Sequence, residues 1–459
     1  MHSRRFSTSK KLILLIGDIL LMMLAYVAVN AFVLNRSILL VSFSLYANMM
    51  PVIIVIAGLL FNINGLYSIA NKRFAEILLS MAIAMAGTAI LTMALSFFLR
   101  EFSYSRGVLL ISLGCDFVLL SIWRYMVWRI ERHYQDQKSV LLLGSEEECQ
   151  HVYNRLRLQP QLNMKLRYVC TDLENGKWQE PASKVDILIL CSEMRHKDKA
   201  AVMNYGYQND KQVMLIPNSF EIFCSSVQLD KIDDIPVFRT MGLNPSLEVR
   251  SLKRILDLVV AVIGFICALP FMLLTAIAIK IGDPGPVFYS QIRTGRYNQP
   301  FKVYKFRTMK VDAEKYSGPM LATENDPRIT KLGRFLRAVR LDELPQIWNV
   351  LIGDMSIVGP RPERPFFVEK YVKEMPEYAY RHNVKPGITG MAQVYGKYNT
   401  TAFDKLVYDL MYIQKCSLIT DLTIIIQTVR VLFSKSATEG TGIEMEEMDF
   451  DKYDYENRV

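Results

Sequence analysis

The chain has few cysteines, and they are not arranged as cysteine-based structure requires. Its 459 residues include seven cysteines, an odd number, and no two of them form a CxxC pair. Neither a disulfide framework nor a zinc site is therefore indicated, and a reducing, cytosol-facing setting fits best. The chain also lacks a dense basic stripe, because its formal net charge is only +9. This argues against nucleic acid as a partner and favours phosphate groups and anionic lipid headgroups.

Long apolar runs are what the sequence does have, and almost all of them lie before Trp128. Hydrophobic residues make up 51% of the chain, which excludes a disordered or fibrous protein. Four runs reach or approach the roughly 20 residues that cross a hydrocarbon core of about 30 Å. They are residues 12–34, 45–61, 77–99 and 108–127. The first is longer than a signal-peptide apolar region and has no clear small-residue cleavage site, so we interpret it as retained.

Basic residues mark the orientation of these runs. They cluster before the first run, between the second and third, and at the end of the fourth. The positive-inside rule then puts both ends of the bundle in the cytoplasm, which an even number of crossings also requires. We therefore expect residues 1–138 to form a four-helix transmembrane region.

Residues 139–250 change to the pattern of an α/β domain. Short apolar runs at 140–143, 185–190 and 213–216 predict buried parallel strands, separated by polar helices such as 146–157. A dinucleotide site after the first strand would need a G-x-G-x-x-G turn, but only Gly144 is present and three glutamates follow its neighbour. These glutamates would repel an anion. We expect a degenerate Rossmann-like domain with a structural or regulatory role.

A fifth apolar run, residues 255–281, sets the topology of everything after it. Lys253 and Arg254 flank one end, Lys280 flanks the other, and Pro270 lies near the middle. Proline removes an intrahelical hydrogen bond, so a break just before Pro270 is expected. The run is either a fifth crossing or a re-entrant hairpin that keeps both basic ends on the cytoplasmic face. The charge pattern favours the re-entrant hairpin, although backbone groups freed in lipid are costly.

Residues 251–436 hold an unusual density of cations suited to phosphate. Lys305 and Arg307 share one face if the predicted strand 300–306 runs on through Arg307. A turn with Arg328 then leads into a basic amphipathic helix that includes Arg337. Such a helix, taken alone, more often lies on solvent or on a lipid surface than in an active site.

Two stiff loops in the same region carry one cation each. Arg361 lies between Pro360 and Pro362, which would hold its guanidinium ready for bidentate contact with phosphate oxygens. Lys385 begins a second loop that contains Pro386 and two glycines. The alternative is that both loops are ordinary surface turns.

Asp342 and Glu343 form an adjacent acidic pair. Neighbouring residues on a helix project about 100° apart, so one of them can attack while the other holds a metal ion. Pro345 predicts a helix start directly after the pair. Most such pairs are surface charge, but apolar neighbours and nearby arginines make a functional pair an equal alternative here.

The last residues, 437–459, differ in composition from the rest of the domain. They contain eight acidic residues against Lys452 and Arg458. This composition predicts a solvated, disordered tail.

Taken together, the motifs of residues 251–436 are specific. They are Lys253 and Arg254 with Asp257, Pro270 in the apolar run, and the segments 283–288, 305–309, 326–328, 341–346, 359–362 and 385–390. In these motifs the sequence resembles the bacterial sugar transferases, which are polyprenyl-phosphate phosphoglycosyl transferases with a monotopic catalytic core. The four leading helices and the α/β insert resemble the large members, which initiate capsule, exopolysaccharide or O-antigen synthesis.

The resemblance implies transfer of a sugar-1-phosphate from a UDP-sugar to undecaprenyl phosphate, with glucose or galactose favoured as the sugar. It implies that Asp342 is the nucleophile, that UMP is released and that a phosphosugar remains on the aspartate. Glu343 would help to hold Mg²⁺, and Arg361 would hold phosphate. Lys305, Arg307, Arg328, Arg337 and Lys385 complete the expected phosphate and substrate contacts.

The resemblance further implies the cytoplasmic membrane of a bacterium, with a multi-pass anchor and a catalytic domain on the cytoplasmic face. Membrane lipids are expected partners, and a homo-oligomer is left open. Two alternatives stay open as well. One is direct transfer without a covalent step, and the other is a non-catalytic membrane scaffold or regulator of polysaccharide synthesis.

Overall fold

The computed structural model describes residues 2–33, 36–69, 71–98, 106–134, 136–173, 176–225, 227–240, 242–311, 326, 328–396, 400–432 and 447–455. The chain divides into two compact units. The first comprises residues 1–216 with 443–459, and the second comprises residues 217–442. The second unit thus begins before the sequence-predicted start of the catalytic domain.

Four helices open the first unit, as predicted. They are α1 (His2–Val33), α2 (Arg36–Ile63), α3 (Phe74–Phe98) and α4 (Arg106–His133). Within α1, α3 and α4, the segments Ser9–Val29, Phe74–Phe98 and Leu109–His133 are long and apolar enough to cross a membrane, and the apolar part described for α2 is Met50–Ile63. The predicted run ends at 34 and 99 lie outside the described residues. Fold and composition together make this a membrane protein.

A buried ion pair joins the first and last of these helices. Asp18 on α1 accepts a hydrogen bond from Arg124 on α4, and the two side chains are almost fully buried. Charged groups in apolar helices normally face the bundle interior and pair with one another, because lipid cannot solvate them. The pair therefore fixes which helix faces are in contact.

A parallel four-stranded sheet follows, in the strand order β2-β1-β3-β4. Its elements are β1 (Lys138–Leu143), α5 (Glu146–Arg157), β2 (Met164–Cys170), α6 (Gln179–Ser183), β3 (Ile187–Leu190), α7 (His196–Gln208) and β4 (Gln212–Leu215). The three predicted strands and helix α5 are present, and β1 and β3 are buried as expected. The prediction of a buried strand is wrong for β4, which is mostly exposed at the edge of the sheet. Strand β2 was missed because it lies at the sheet edge, where alternating exposure replaces a continuous apolar run.

The turn after β1 is packed against the chain's own side chains. A Cβ on Gly144 would lie 2.5 Å from the Cβ of Cys191, so little space is left beside the turn. The Glu148 carboxylate accepts hydrogen bonds from the backbone N–H groups of Ser192, at 2.8 Å, and Glu193, at 3.2 Å. A carboxylate thus takes the backbone donors that a bound anion would use. The role of the domain stays a prediction.

The end of the chain packs against this same sheet. Residues 447–455 are described and contain the short helix α16 (Phe450–Tyr453). Met448 is buried among side chains of β1 and β3, and Asp454 forms a parallel bridge with Val169 on β2. The prediction of a solvated tail is therefore wrong for these residues. Residues 437–446 and 456–459 lie outside the described part of the chain.

The second unit combines a long helix with short helices and three two-stranded sheets. The first half contains α8 (Ser219–Cys224), β5 (Val227–Ile232), β6 (Ile235–Thr240), α9 (Leu247–Gly282), β7 (Phe288–Thr294), β8 (Pro300–Phe306), α10 (Lys331–Ala338) and α11 (Gln346–Ile352). The second half contains β9 (Ser356–Val358), α12 (Pro365–Glu374), β10 (Gly387–Thr389), α13 (Met391–Tyr395), α14 (Ala402–Gln414) and α15 (Leu418–Leu432). Pairs β5–β6 and β7–β8 are antiparallel, and β9–β10 is parallel.

Helix α9 runs through Pro270 without interruption. The predicted break before Pro270 is wrong, because one helix continues from Leu247 to Gly282. A proline removes one hydrogen bond and forces a local bend, but the residues on both sides can keep helical dihedral angles. The helix is long and apolar enough to cross a membrane. The re-entrant topology stays a prediction.

The basic residues before the apolar part of α9 are bound to protein groups. Lys253 pairs with Asp421 of α15 at 2.6 Å, and the Lys253 side chain is only 11% exposed. Arg254 donates to the carbonyl oxygens of Val350 and Leu351 at the end of α11. The Lys253 contact joins α9 to α15, and the Arg254 contacts join α9 to α11, the helix that follows the acidic pair. The charges of Lys253 and Arg254 are therefore paired with groups of the domain. This weakens the argument that they bind lipid headgroups.

Candidate active site

The acidic pair lies in a 3-10 turn, Leu341–Glu343, which directly precedes α11. Pro345 is the residue before the helix, so the predicted position of the pair at a helix start is confirmed. The turn begins after Arg340, whose φ of 57° is unusual for a residue other than glycine. The backbone thereby turns sharply before Asp342, whose side chain becomes buried.

Two cations from distant parts of the domain meet on Glu343. Lys305 Nζ, from strand β8, lies 2.7 Å from Glu343 Oε1. Arg361 Nη2, from the loop after β9, lies 2.7 Å from the same oxygen. Three of the sequence-predicted site residues are therefore brought into direct contact, and Asp342 is adjacent to them in the chain.

The two carboxyl groups are in opposite electrostatic conditions. Burial raises the pKa of Asp342, the Glu343 charge raises it further, and Lys305, Arg337 and Arg361 only partly oppose these effects. Burial also acts on Glu343, but Arg361 and Lys305 outweigh it and hold the pKa of Glu343 well below its usual range. Neighbouring carboxyls with pKa values pushed apart are typical of sites in which the two groups have different tasks.

A second arginine, Arg381, binds the backbone of Arg361. Arg381 Nη2 donates to the backbone carbonyl of Arg361 at 3.0 Å and pairs with Asp409 of α14 at 2.7 Å. Arg381 and Asp409 are both almost fully buried. No sequence pattern indicated this pair, since neither residue belongs to a motif that suggests phosphate binding and they are far apart in the chain.

A small open cleft lies beside the two cations on Glu343. Its lining consists of Arg293, Val303, Lys305, Gln346, Arg361 and Pro362. Arg293 donates to the carbonyl of Pro362 at 3.2 Å. On the antiparallel β7–β8 ribbon, Gln291 pairs with Val303, so strand alternation places Arg293, Val303 and Lys305 on one face. Arg293 was missed because the sequence alone did not reveal that β7 pairs with β8.

Two of the predicted cations belong to other contacts. Strand β8 ends at Phe306, so the expectation that Arg307 continues the strand and shares a face with Lys305 is wrong. Arg307 donates instead to the carbonyl of Asp283, in the turn after α9. Arg328 pairs with Asp326 at 2.6 Å. The Arg307 contact joins the end of β8 to the turn after α9, whereas the Arg328 contact is local to its own turn.

Arg337 and Lys385 were both predicted to contact phosphate or substrate, and the structure places them in different surroundings. Arg337 Nε donates to the Thr308 hydroxyl at 2.9 Å, and its charge lowers the pKa of Asp342, so it belongs to the surroundings of the acidic pair. Lys385 lies beside Arg254, where burial and that neighbouring charge lower its pKa. The structure therefore links Arg337 to the acidic pair and places Lys385 next to the start of α9.

The donor set at the acidic pair fits Mg²⁺ without forming a dedicated cage. Among the described residues, no group of three or more His, Cys, Asp or Glu side chains is placed to hold a metal ion. Magnesium at phosphate-handling sites usually takes one or two protein carboxylates, together with substrate phosphate oxygens and water. Glu343, with its strongly lowered pKa, and the adjacent Asp342 supply that number of carboxyl groups.

Replacing Arg381 by methionine is expected to destabilise the second unit. The change leaves the Asp409 carboxylate buried without its cation, and breaking a buried pair in this way typically costs about 3–5 kcal/mol. The double variant Arg381→Met, Asp409→Leu removes both charges and should recover much of that loss. Thermal unfolding in detergent measures both effects.

The exposed pair Arg239–Asp230 on the β5–β6 hairpin is a matched control. Its arginine side chain is 72% exposed, so Arg239→Met should cost about 1 kcal/mol or less. Equal losses for Arg381→Met and Arg239→Met would contradict the role given to the buried pair.

Fold and site together define a membrane protein whose second unit has an acidic pair next to several cations. The model of the bacterial sugar transferase family matches residues 248–435. The model of a CoA-binding domain matches residues 62–196, which cover the end of α2, helices α3 and α4 and most of the parallel sheet.

Known proteins similar to this chain carry names of one enzymatic type. A UDP-N-acetylgalactosamine-undecaprenyl-phosphate N-acetylgalactosaminephosphotransferase of Aeromonas hydrophila is 36% identical over 351 residues, which cover 74% of this chain and 76% of that protein. A UDP-glucose:undecaprenyl-phosphate glucose-1-phosphate transferase of Escherichia coli is 35% identical, over 65% of this chain and 68% of that protein. A galactosyl transferase of Streptococcus agalactiae is 43% identical, over 40% and 42%. The chain belongs to the bacterial sugar transferase family.

Proposed function

We propose that the protein transfers a sugar-1-phosphate from a UDP-sugar to undecaprenyl phosphate and so starts the synthesis of a surface polysaccharide. The names of its relatives support this reaction. The structural observation that carries the proposal is Glu343, which binds Lys305 and Arg361 directly beside the buried Asp342. A nucleophilic carboxylate next to phosphate-binding cations is what transfer through an aspartyl intermediate requires.

The reaction proceeds in two displacements at one phosphorus atom. In the first, an Asp342 carboxylate oxygen bonds to the phosphorus that carries the sugar, and the bond from that phosphorus to the bridging oxygen breaks, so UMP leaves with the bridging oxygen. In the second, a phosphate oxygen of undecaprenyl phosphate attacks the same phosphorus and the bond to Asp342 breaks. The aspartate is regenerated, and the polyprenyl diphosphate sugar is the product. Two steps let one small site serve a soluble donor and a lipid acceptor in turn.

The cations are needed because the first displacement brings an anion to an anion. One charge pair at roughly 4 Å, with an effective dielectric constant of about 20, repels by about 4 kcal/mol. Lys305, Arg361 and Arg293 line the cleft where diphosphate oxygens would lie and offset that repulsion. Arg381 holds Arg361 in place through its backbone carbonyl.

Glu343, with Asp342 beside it, would hold Mg²⁺. Bound there, the ion would neutralise charge on the diphosphate oxygens. Glu343 also keeps Lys305 and Arg361 close to the acidic pair, and this function needs no metal.

We place the second unit on the cytoplasmic face of a bacterial inner membrane, where UDP-sugars are made. The proposal rests on the basic residues at both ends of the four-helix region, such as Lys10 and Arg132. Cys224 is exposed on α8. Labelling of Cys224 in intact cells by a membrane-impermeant maleimide would overturn this orientation.

A panel of UDP-sugars tests the proposed reaction. The purified protein, with Mg²⁺ and undecaprenyl phosphate in detergent, should release UMP from at least one of UDP-glucose, UDP-galactose and their N-acetylated relatives. Sequence similarity favoured glucose or galactose, and a relative named for N-acetylgalactosamine keeps that sugar in the panel. If no sugar yields UMP or lipid-linked product, the alternative of a non-catalytic scaffold gains support.

Isotope exchange distinguishes the covalent route from direct transfer. With donor but without lipid, the covalent route predicts that labelled UMP enters the UDP-sugar pool, because the first displacement is reversible without acceptor. Direct transfer needs the lipid and predicts no exchange. Lipid-dependent product formation without exchange would therefore contradict the aspartyl intermediate and leave the overall reaction intact.

A further inference from the structure

The parallel sheet of the first unit has an edge at β2, and the end of the chain covers it. Asp454 forms a parallel bridge with Val169, next to the end of that strand. Exposed edge strands offer unpaired backbone groups that attract other extended segments, so proteins usually cover them. Here residues 447–455, which we call the terminal segment, are the cover.

The terminal segment is anchored on one face of the sheet by apolar side chains. Met448 is 5% exposed and belongs to a core cluster with Val169 and Ile189. Its backbone N–H donates to the side-chain oxygen of Gln150 at 2.7 Å. The rings of Tyr453 and Tyr153 lie 5.7 Å apart. These contacts bury Met448 against the strands and place the half-buried Tyr453 against helix α5.

A further anchor lies on the other face. The Tyr455 ring packs edge-on against Tyr168 at 5.2 Å and belongs to the second core cluster of the sheet. Its hydroxyl donates to the Glu180 carboxylate and accepts from the Lys184 ammonium. The segment therefore crosses the sheet edge with one backbone bridge and places side-chain anchors on both faces.

In such a sheet, ligands usually bind at the carboxyl ends of the strands. At the ends of β1 and β3, side chains of the chain itself occupy this position. The backbone donors after β3 are bound by Glu148, and Gly144 lies against Cys191. The turn after β1 and the backbone donors after β3 are thus in contact with the chain's own side chains, whereas the edge at β2 is in contact with the terminal segment.

We propose that the α/β domain of residues 138–216 is a receptor for the chain's own terminal segment. Its ligand is a short acidic peptide with a methionine and two tyrosines at fixed spacing, bound across the edge of β2. The segment 217–442 is thereby connected to this domain at both of its ends, by the chain at Ile216 and by the bound terminal segment. Intramolecular attachment raises the effective concentration of the peptide and keeps the site filled.

Binding in trans tests the proposal. A chain that ends at residue 442 should bind a fluorescent peptide of residues 447–455 saturably and with one site, and the full chain should bind it at least tenfold more weakly. Peptides with Met448→Asp or Tyr455→Ala should also bind at least tenfold more weakly. A scrambled peptide of the same composition is the control for charge alone. Equal binding of the scrambled peptide, or no binding to a truncated chain with a normal unfolding transition, would overturn the proposal.

A cross-link in the full chain tests the same contact without truncation. The pair Val169→Cys, Asp454→Cys should form a disulfide under mild oxidation, and cleavage at a protease site inserted near residue 439 should leave the terminal segment attached until reduction. The pair Gln212→Cys, Asp454→Cys is the control, because Gln212 lies on β4 at the opposite sheet edge. Equal cross-linking of both pairs would contradict the site, and cross-linked dimers would contradict an intramolecular occupant. None of these readouts depends on sugar transfer, so failure here leaves the proposed function untouched.

Discussion

Asp342→Asn is expected to lower UMP release by at least about 10³-fold, because loss of a covalent nucleophile removes the reaction path itself. An asparagine side chain has nearly the same shape and keeps the buried turn filled, so folding should be preserved. The amide carries no charge and cannot form the acyl-phosphate bond to the phosphosugar. The measurement is initial UMP release with the sugar that the wild-type protein uses.

The matched control for this variant is Asp234→Asn, which makes the same change on an exposed turn of the β5–β6 hairpin. Its activity should equal that of the wild type. Mass spectrometry of wild-type protein incubated with donor alone should find the phosphosugar on the peptide that contains Asp342. Full activity of Asp342→Asn, or a phosphosugar on a different residue, would exclude the assignment.

Glu343→Gln is expected to lower activity by about 10²-fold or more. The wild-type carboxylate binds Lys305 and Arg361 through one oxygen, and the neutral amide cannot hold two cations in that arrangement. Loss of preorganised charge at a reacting phosphate commonly costs this much. The exposed Glu369→Gln on α12 is the control and should leave the rate unchanged.

The same variant should change the pH dependence in a defined direction. In the wild type, burial and the Glu343 charge raise the pKa of Asp342, and the nucleophile must be ionised, so kcat/KM should fall as pH falls through that raised pKa. Removing the Glu343 charge lowers the pKa of Asp342, and it also releases Lys305 and Arg361 from their partner, which acts in the same direction. The acidic limb should therefore move to lower pH although the maximum rate is smaller. An acidic limb at the same or higher pH would contradict the coupling of the two carboxyls.

Much of the site could be predicted from single motifs. Asp342, Glu343, Lys305 and Arg361 were named from the sequence, and the structure brings Lys305 and Arg361 onto Glu343. These residues stand beside prolines or apolar neighbours, which restrict the local backbone. The surroundings of Arg307 could not be predicted in this way, since its direction depends on where β8 ends and on a carbonyl in the turn after α9.

The support behind the site could not be read from local patterns. Arg381 reaches Arg361 across 20 residues and Asp409 across 28, and Arg293 reaches the cleft only because β7 pairs with β8. No periodicity connects such residues, because the contacts depend on how separate elements pack. Their chemical types are common, so composition does not single them out either.

By itself, the sequence determined the elements whose formation depends on near neighbours: the apolar helices, the strands β1, β3 and β4, and the helix start that follows the acidic pair. Burial of a continuous apolar run and the fixed φ of proline act within a few residues, so these elements can be predicted from the sequence alone. Only the tertiary structure decided which cations meet Glu343, that α9 continues through Pro270, and that the acidic terminal segment packs on the edge of β2. These outcomes depend on groups far apart in the chain, whose attraction exists only once the fold has brought them together.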